Sequence, residues 1–119
     1  MKRFTAFALA FAAFAAPALA EETKVPAEND LVCVAWSGFF ANRAATEEDK
    51  RGLTMLLFYY IGRWETATGQ GIDSALTPEW AGANSARILA AGPDCEARGR
   101  AVAGRVSAAG ERLKTSGKK

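Results

Sequence analysis

The chain contains no histidine among its 119 residues. Without histidine it cannot form the serine–histidine or cysteine–histidine pairs that activate most protein nucleophiles, and it lacks the commonest zinc ligand. It has only two cysteines and no Cys-x-x-Cys motif, which is the usual arrangement in thiol-redox proteins. No stretch alternates apolar and polar residues along the length of a strand. We therefore predict no metal, no cofactor and no β-sheet.

Carboxylates are the remaining candidates for catalysis or cation binding, and their spacing favours neither. Glu47, Glu48 and Asp49 are adjacent, but neighbouring residues of a helix point about 100° apart and no calcium-loop pattern surrounds them. They are better explained as the acidic first turn of a helix. An enzyme that uses the Glu65 and Asp73 carboxylates for catalysis is one alternative. We expect that the protein is not an enzyme.

The first 20 residues have the pattern of an export signal. Lys2 and Arg3 precede an apolar run, and Ala18 and Ala20 supply the small residues at a cleavage site. The segment is too short and wrongly flanked for a stable membrane span. We expect cleavage before Glu21, a periplasmic or secreted location, and no membrane span in the mature chain.

Cleavage would change the charge balance. Lys2 and Arg3 would leave with the signal, so the 15 basic residues of the whole chain become 13, equal to its 13 acidic residues. This balance predicts no general attraction to nucleic acid. Residues 21–49 contain seven acids and two bases, whereas residues 87–119 contain eight bases and three acids. We interpret the two regions as solvated faces that attract each other; the alternative is a basic C-terminal arm that docks on an acidic partner.

The two cysteines, Cys33 and Cys95, are far apart in the sequence. In an oxidising compartment, an isolated pair of this kind is typical of one structural disulfide. Closing so long a loop would stabilise the fold by about 4 kcal/mol, a large share of the total for a small domain. Two free thiols are the alternative.

Helix start and stop signals divide the mature chain into four predicted helices and no other regular structure. Asn29 or Asp30, Thr46, Thr77 and Asp94 are the expected N-terminal caps, and glycines follow the second and third helices. The predicted helices cover residues 31–44, 47–68, 78–91 and 95–114. We predict an all-α fold, a small four-helix antiparallel bundle in which one disulfide ties the first helix to the last. Residues 21–29 would form a flexible leader, residues 30–115 the helical domain, and residues 116–119 a frayed tail.

The last predicted helix carries apolar or small residues at alternating spacings of four and three, which is typical of a narrow bundle stripe. These residues are Cys95, Gly99, Val102, Val106, Ala109 and Leu113.

The second predicted helix is apolar on more than its core-facing side. Within residues 53–64, a strip of Met55, Phe58, Tyr59 and Gly62 lies opposite the residues expected in the core, and Arg63 flanks it. One interpretation is a central helix that the other three enclose. The other is an exposed apolar strip, which would mark a homodimer interface or a surface for an unknown protein partner or client.

An alternative function is a small apolar-ligand carrier. Its pocket would lie among the aromatic residues Trp36, Phe40, Tyr60 and Trp64, which fall on the first and second predicted helices.

Two stretches around the cysteines carry a resemblance to a known group. Asp30-Leu31-Val32-Cys33 is followed by Phe39-Phe40, and Asp94-Cys95-Glu96 leads to a basic C-terminal helix that ends in Lys118 and Lys119. This outline resembles the small acid-stress chaperones of the bacterial periplasm, which are exported, helical and held by one disulfide. The chain is equally similar to small exported two-cysteine helical bacterial proteins of unassigned function. The resemblance implies a protein-binding or envelope-stress module that loosens in acid and exposes residues 53–64.

Overall fold

A computed structural model describes residues 25–117. The predicted export signal, residues 21–24 of the predicted leader and residues 118–119 of the predicted tail lie outside this range. The described chain is all-helical and contains no strand, as predicted. Its helices are α1 (Ala27–Ala41), α2 (Glu47–Thr68), α3 (Ile72–Ala75), α4 (Pro78–Ala83), α5 (Ser85–Ala90) and α6 (Gly92–Ser116).

Helices α1 and α2 form an antiparallel hairpin that builds most of the core. Asp30 of α1 contacts Arg63 near one end of the pair, and Gly38 lies against Leu57 toward the other. Both predicted ends of α2 are confirmed. The Thr46 hydroxyl accepts a hydrogen bond of 3.1 Å from the backbone N–H of Asp49, and Gly69 ends the helix in the left-handed conformation with φ of 70°.

The predicted starts of the first and last helices are wrong by a few residues. Helix α1 begins at Ala27, directly after Pro26, so Asp30 lies inside the helix instead of capping it. Residues 27–29, which were assigned to the leader, are therefore helical. Helix α6 begins at Gly92, with Pro93 in its first turn, and Asp94 does not cap it. Pro93 fits the first turn of α6 because its missing N–H makes no demand there, whereas Pro26 occupies the cap position just before α1.

The region between α2 and α6 is a chain of three short helices in place of one long helix. The cap at Thr77 is confirmed, since its hydroxyl accepts from the backbone N–H of Trp80 at 3.1 Å. The helix then breaks at Asn84, whose side-chain amide donates to the Trp80 carbonyl at 2.9 Å. The short helix Ile72–Ala75 was not predicted. Ile88 of α5 packs in the hydrophobic core and so attaches this region to the rest of the fold.

The predicted disulfide is confirmed, and it ties α1 to α6 across a Cα–Cα distance of 5.6 Å. Along α6, Cys95 and then Arg98 meet Cys33 and then Asp30 of α1, in reverse order. Cys95 and then Gly99 likewise meet Tyr60 and then Leu56 of α2 in reverse order. Because α1 and α2 are themselves antiparallel, α6 cannot align with the pair and crosses it. The all-α class is therefore confirmed, but the four-helix antiparallel bundle is not.

The apolar stripe predicted along α6 is buried only at its beginning. Cys95 and Gly99 are in the core, whereas Val106 is 66% exposed and Leu113 is 73% exposed. The expectation that the whole stripe packs within a bundle is therefore wrong for this chain alone, because α6 crosses the hairpin and continues past it. The helix extends to Ser116, into the predicted tail. Within residues 25–117, no helix is both long and apolar enough to cross a membrane.

Candidate functional site

The predicted strip lies on an exposed face of α2. Met55 is 68% exposed and Phe58 is 67% exposed. Gly62 is also exposed, and a Cβ added there would have no atom within 4 Å. Tyr59 is half-buried and packs against the core. Helix α2 is therefore not enclosed on this side, and the interpretation of α2 as a fully buried central helix is wrong.

An open groove of about 640 Å³ runs beside the strip. It brings together four of the five predicted binding residues, and Met55 lies outside it. Apart from Thr66 and Ala67, its lining consists of Val25, Asp30, Phe58, Tyr59, Gly62 and Arg63. The groove thus has aromatic walls, an open position at Gly62 and one basic side chain.

Arg63 is anchored at the inner edge of this groove. Its Nε donates to the two carboxylate oxygens of Asp30 at 3.2 and 3.3 Å. The guanidinium carbon lies 5.9 Å from the centre of the Tyr59 ring, within cation–π range. Burial acts to lower the pKa of Arg63, but the hydrogen bond and charge of Asp30 outweigh burial and raise the pKa above its ordinary value. Arg63 therefore fixes one side of the groove as a permanent cation.

Asp30 is the residue that the sequence interpretation missed. It is only 2% exposed, and both Arg63 of α2 and Arg98 of α6 donate to it. Arg98 also lies 5.0 Å from the centre of the Tyr60 ring and 3.7 Å from the Cys33 sulfur. One buried carboxylate thus joins three helices beside the disulfide. The available signal was spacing, because Asp30 stands three residues before Cys33 and Arg98 three residues after Cys95, which places both charges on the core-facing side.

The four aromatic residues of the predicted ligand pocket do not line one cavity. Tyr60 is fully buried and donates a hydrogen bond of 2.6 Å from its hydroxyl to the Cys95 carbonyl. Burial raises the pKa of Tyr60 to about 12, although the positive charge of Arg98 acts against this rise. Trp64 is also in the core. Tyr60 and Trp64 therefore hold the helices together, and only Trp36 and Phe40 border an open space.

That space is a cleft of about 990 Å³ between the end of α1, the first half of α2 and the first half of α6. Its walls are mostly apolar, formed by Trp36, Phe40, Leu53, Leu56, Gly92, Pro93, Gly99 and Ala103 among others. Its rim carries both signs of charge, from Arg43, Glu48, Asp49, Glu96 and Arg100.

The buried polar side chains of the described residues are all hydrogen-bonded within the fold. Glu65, the acid considered for catalysis, accepts a hydrogen bond of 3.2 Å from the backbone N–H of Ile72. Every buried side-chain nitrogen or oxygen in residues 25–117 has a hydrogen-bond partner. Over the same residues, no three cysteine or acidic side chains are grouped so that they could hold a metal ion.

Comparison of the chain with protein-family models finds no matching family, and comparisons with curated proteins and with solved structures find no match. The function is therefore inferred from the residues themselves.

Proposed function

We propose that the protein is an exported, non-catalytic module that binds apolar segments of other proteins through the Met55, Phe58, Tyr59 and Gly62 strip. The observation that carries this proposal is the exposure of Met55 and Phe58, each about two-thirds open to solvent. Adjacent large apolar side chains on an exposed face are typical of interaction surfaces. The signal-like first 20 residues and the Cys33–Cys95 disulfide support the export of the protein.

The helix that carries the strip is well fixed, which favours binding. Helix α2 is capped at both ends, at Thr46 and Gly69, and packs along α1. A prepositioned surface loses little conformational entropy when a partner docks. Met55 adds a flexible, polarizable contact that adapts to different apolar partners, and Gly62 lets a partner backbone approach closely.

A narrower form of the proposal is an envelope-stress role in which acid increases binding. Three ion pairs join α1 to later helices, Glu28 with Arg87 and Asp30 with both Arg63 and Arg98. In acid that protonates the carboxylates, the arginines stay charged, so attraction becomes repulsion. The disulfide would keep α1 and α6 together while the helices loosen and expose more of α2.

The test is the suppression of aggregation of an unfolded client protein, measured at pH 7 and at about pH 2–3 together with the binding of a dye to apolar surface. The variants are Phe58→Ser and Met55→Ser. The matched control is Leu89→Ser, which removes another exposed apolar residue that lies on α5. We expect both strip variants to lose most of the suppression and the control to keep it. Equal suppression by all three variants, or none by the unaltered protein at either pH, would contradict the proposal.

A second candidate function is the transport of a small apolar ligand in the cleft beside Trp36 and Phe40. The size and apolar walls of this cleft favour it. Calorimetric titration with a long-chain fatty acid tests this function. Ala103→Phe would fill the cleft and abolish binding, whereas Ala101→Phe, on an exposed site outside the cleft, would not. Absence of heat with the unaltered protein would remove this candidate.

A further inference from the structure

The second half of α6 lacks any partner within the described chain that explains why it is helical. Val102, Val106, Ala109 and Leu113 continue the alternating spacing of the buried Cys95 and Gly99, but none is in the core: Val106 and Leu113 are exposed, and Val102 and Ala109 are half-buried. Gly104 and Gly110 interrupt this half, and each glycine costs a helix about 1 kcal/mol relative to alanine. Isolated helices of this length are marginal in water even with favourable residues. A repeat of four and three over several turns is the pattern of a helix that packs against another helix.

The cleft beside α6 has the properties that such a helix requires. Its walls offer apolar contacts from Phe40, Leu53 and Leu56. Small residues, Gly99 and Ala103, lie where α6 borders the cleft and allow a second helix to come close. The cleft borders α6 as far as Ala103, and Val106, the first strongly exposed residue of the stripe, follows three residues later.

The charges around the cleft and on the free half of α6 are complementary. On the rim, Arg43 stacks on Phe39 at 3.7 Å, and Arg100 lies 3.9 Å from Glu96. Glu48 and Asp49 form no ion pair with any other described residue.

Beside the stripe, Arg105 and Arg112 recur seven residues apart, and they too form no ion pair within residues 25–117. In the part of the chain that the structure describes, an apolar edge beside two unpaired arginines therefore matches an apolar cleft whose rim holds two unpaired carboxylates and one unpaired arginine, Arg43, which is stacked on Phe39.

We infer that a second copy of this chain occupies the cleft: the free half of α6 from each copy lies in the cleft of the other, in a two-fold symmetric dimer. With a two-fold axis, the stripe of each copy is buried in the cleft of the other, so both pairs of surfaces are covered at once. In this dimer the partner's Arg105 and Arg112 face Glu48 and Asp49. The arginines of the two α6 helices therefore do not repel each other.

The dimer does not use the strip on α2, so it is independent of the proposed function. Phe58→Ser should abolish client binding and leave the dimer unchanged. Conversely, a variant that breaks the dimer should leave the strip exposed. The two hypotheses can therefore fail separately.

The experiment measures the mass of the purified full-length chain by sedimentation equilibrium from about 1 to 100 μM. We expect the unaltered protein to have twice the monomer mass at the upper concentrations. Leu113→Asp should give a monomer at all of them, with a helical circular dichroism signal that falls by no more than the share of the free half of α6, because Leu113 makes no core contact. The control is Ala108→Asp, which places the same charge on the opposite, exposed face of α6 and should leave the dimer intact.

A charge exchange tests the assigned contact. Arg105→Glu with Arg112→Glu should weaken the dimer at least tenfold, and adding Glu48→Arg and Asp49→Arg should restore most of the affinity. A monomer at every concentration would overturn the inference. So would a dimer that survives Leu113→Asp, or a dimer that Phe58→Ser disrupts, since the interface would then lie elsewhere. A monomer that retains a co-purified lipid displaced by Ala103→Phe would show that a ligand occupies the cleft and would also overturn it.

Discussion

The two halves of α6 have the same residue spacing but opposite environments. The first half, up to Gly99, is tied by the disulfide, by Arg98 on Asp30 and by the Tyr60 hydroxyl on the Cys95 carbonyl. The second half presents Val106 and Leu113 to solvent. The spacing of apolar residues thus identifies the helix face that packs against another element, but it does not show whether that element belongs to the same chain. The free energy of folding should therefore depend on the first half, and association on the second.

Loss of the disulfide should have the largest effect on stability. Replacing both cysteines, Cys33→Ala with Cys95→Ala, frees a loop that spans 62 residues. Loop closure of this length is worth about 4 kcal/mol. For a domain of this size each 1 kcal/mol shifts the melting temperature by about 4–8 °C, so thermal unfolding followed by circular dichroism should show a fall of about 15–30 °C. A double variant of unchanged melting temperature would show that the first half of α6 is held by its other contacts.

The next effect should come from the buried carboxylate. Asp30→Asn leaves Arg63 and Arg98 without their shared counter-charge, and breaking a buried pair of this kind costs about 3 kcal/mol. Glu28→Gln is the matched control, because the Glu28–Arg87 pair is about half exposed and should contribute less than about 1 kcal/mol. Urea unfolding at pH 7 measures both. Equal losses in the two variants would contradict a central role for Asp30.

Alkaline pH should destabilise the junction through Tyr60. Its pKa is about 12 in the folded protein and 10 in the unfolded chain. Because the folded pKa is the higher one, the stabilisation is fully present below pH 10 and is lost as pH rises from 10 to 12, by up to about 3 kcal/mol. Tyr60 is one of two tyrosines, so Tyr59→Phe leaves a single phenol whose ionisation can be followed by ultraviolet absorbance. Ionisation with a midpoint near 10 in the folded variant would contradict this environment.

The sequence predicted the features that depend on local rules and on chemistry. The all-α class, the Thr46 and Gly69 ends of α2, the Thr77 cap and the Cys33–Cys95 bridge are all confirmed. Each follows from nearby residues or from pairing the only two cysteines. The sequence left open whether Phe58 is exposed or buried. A helical wheel shows that residues 53–64 have two apolar faces, but it does not show which face another helix covers.

The features that the sequence did not predict depend on distant contacts. Asp30 is one of the two cap candidates in the sequence, because acids near a helix start usually have that role, and only the structure shows that it is buried and contacts Arg63 and Arg98. The bundle was not confirmed because the crossing of α6 is set by where Cys95, Tyr60 and Leu56 meet. For the same reason, the predicted aromatic pocket is not formed. Tyr60 and Trp64 are buried in the core, and only Trp36 and Phe40 line the cleft.

The smallest expected effect is the difference in stability between two glycine-to-alanine variants, one in each half of α6. At Gly99 an added Cβ would collide with the Leu56 side chain, whereas at Gly104 it would have no atom within 4 Å. Overpacking costs about 1–3 kcal/mol, and alanine gains about 1 kcal/mol over glycine in a helix. Gly99→Ala should therefore lose about 1 kcal/mol on balance, and Gly104→Ala should gain up to about 1 kcal/mol. Urea unfolding of both variants at one protein concentration measures the difference. A gain at Gly99 would mean that Leu56 moves aside easily and that the first half of α6 is held less closely than its contacts indicate.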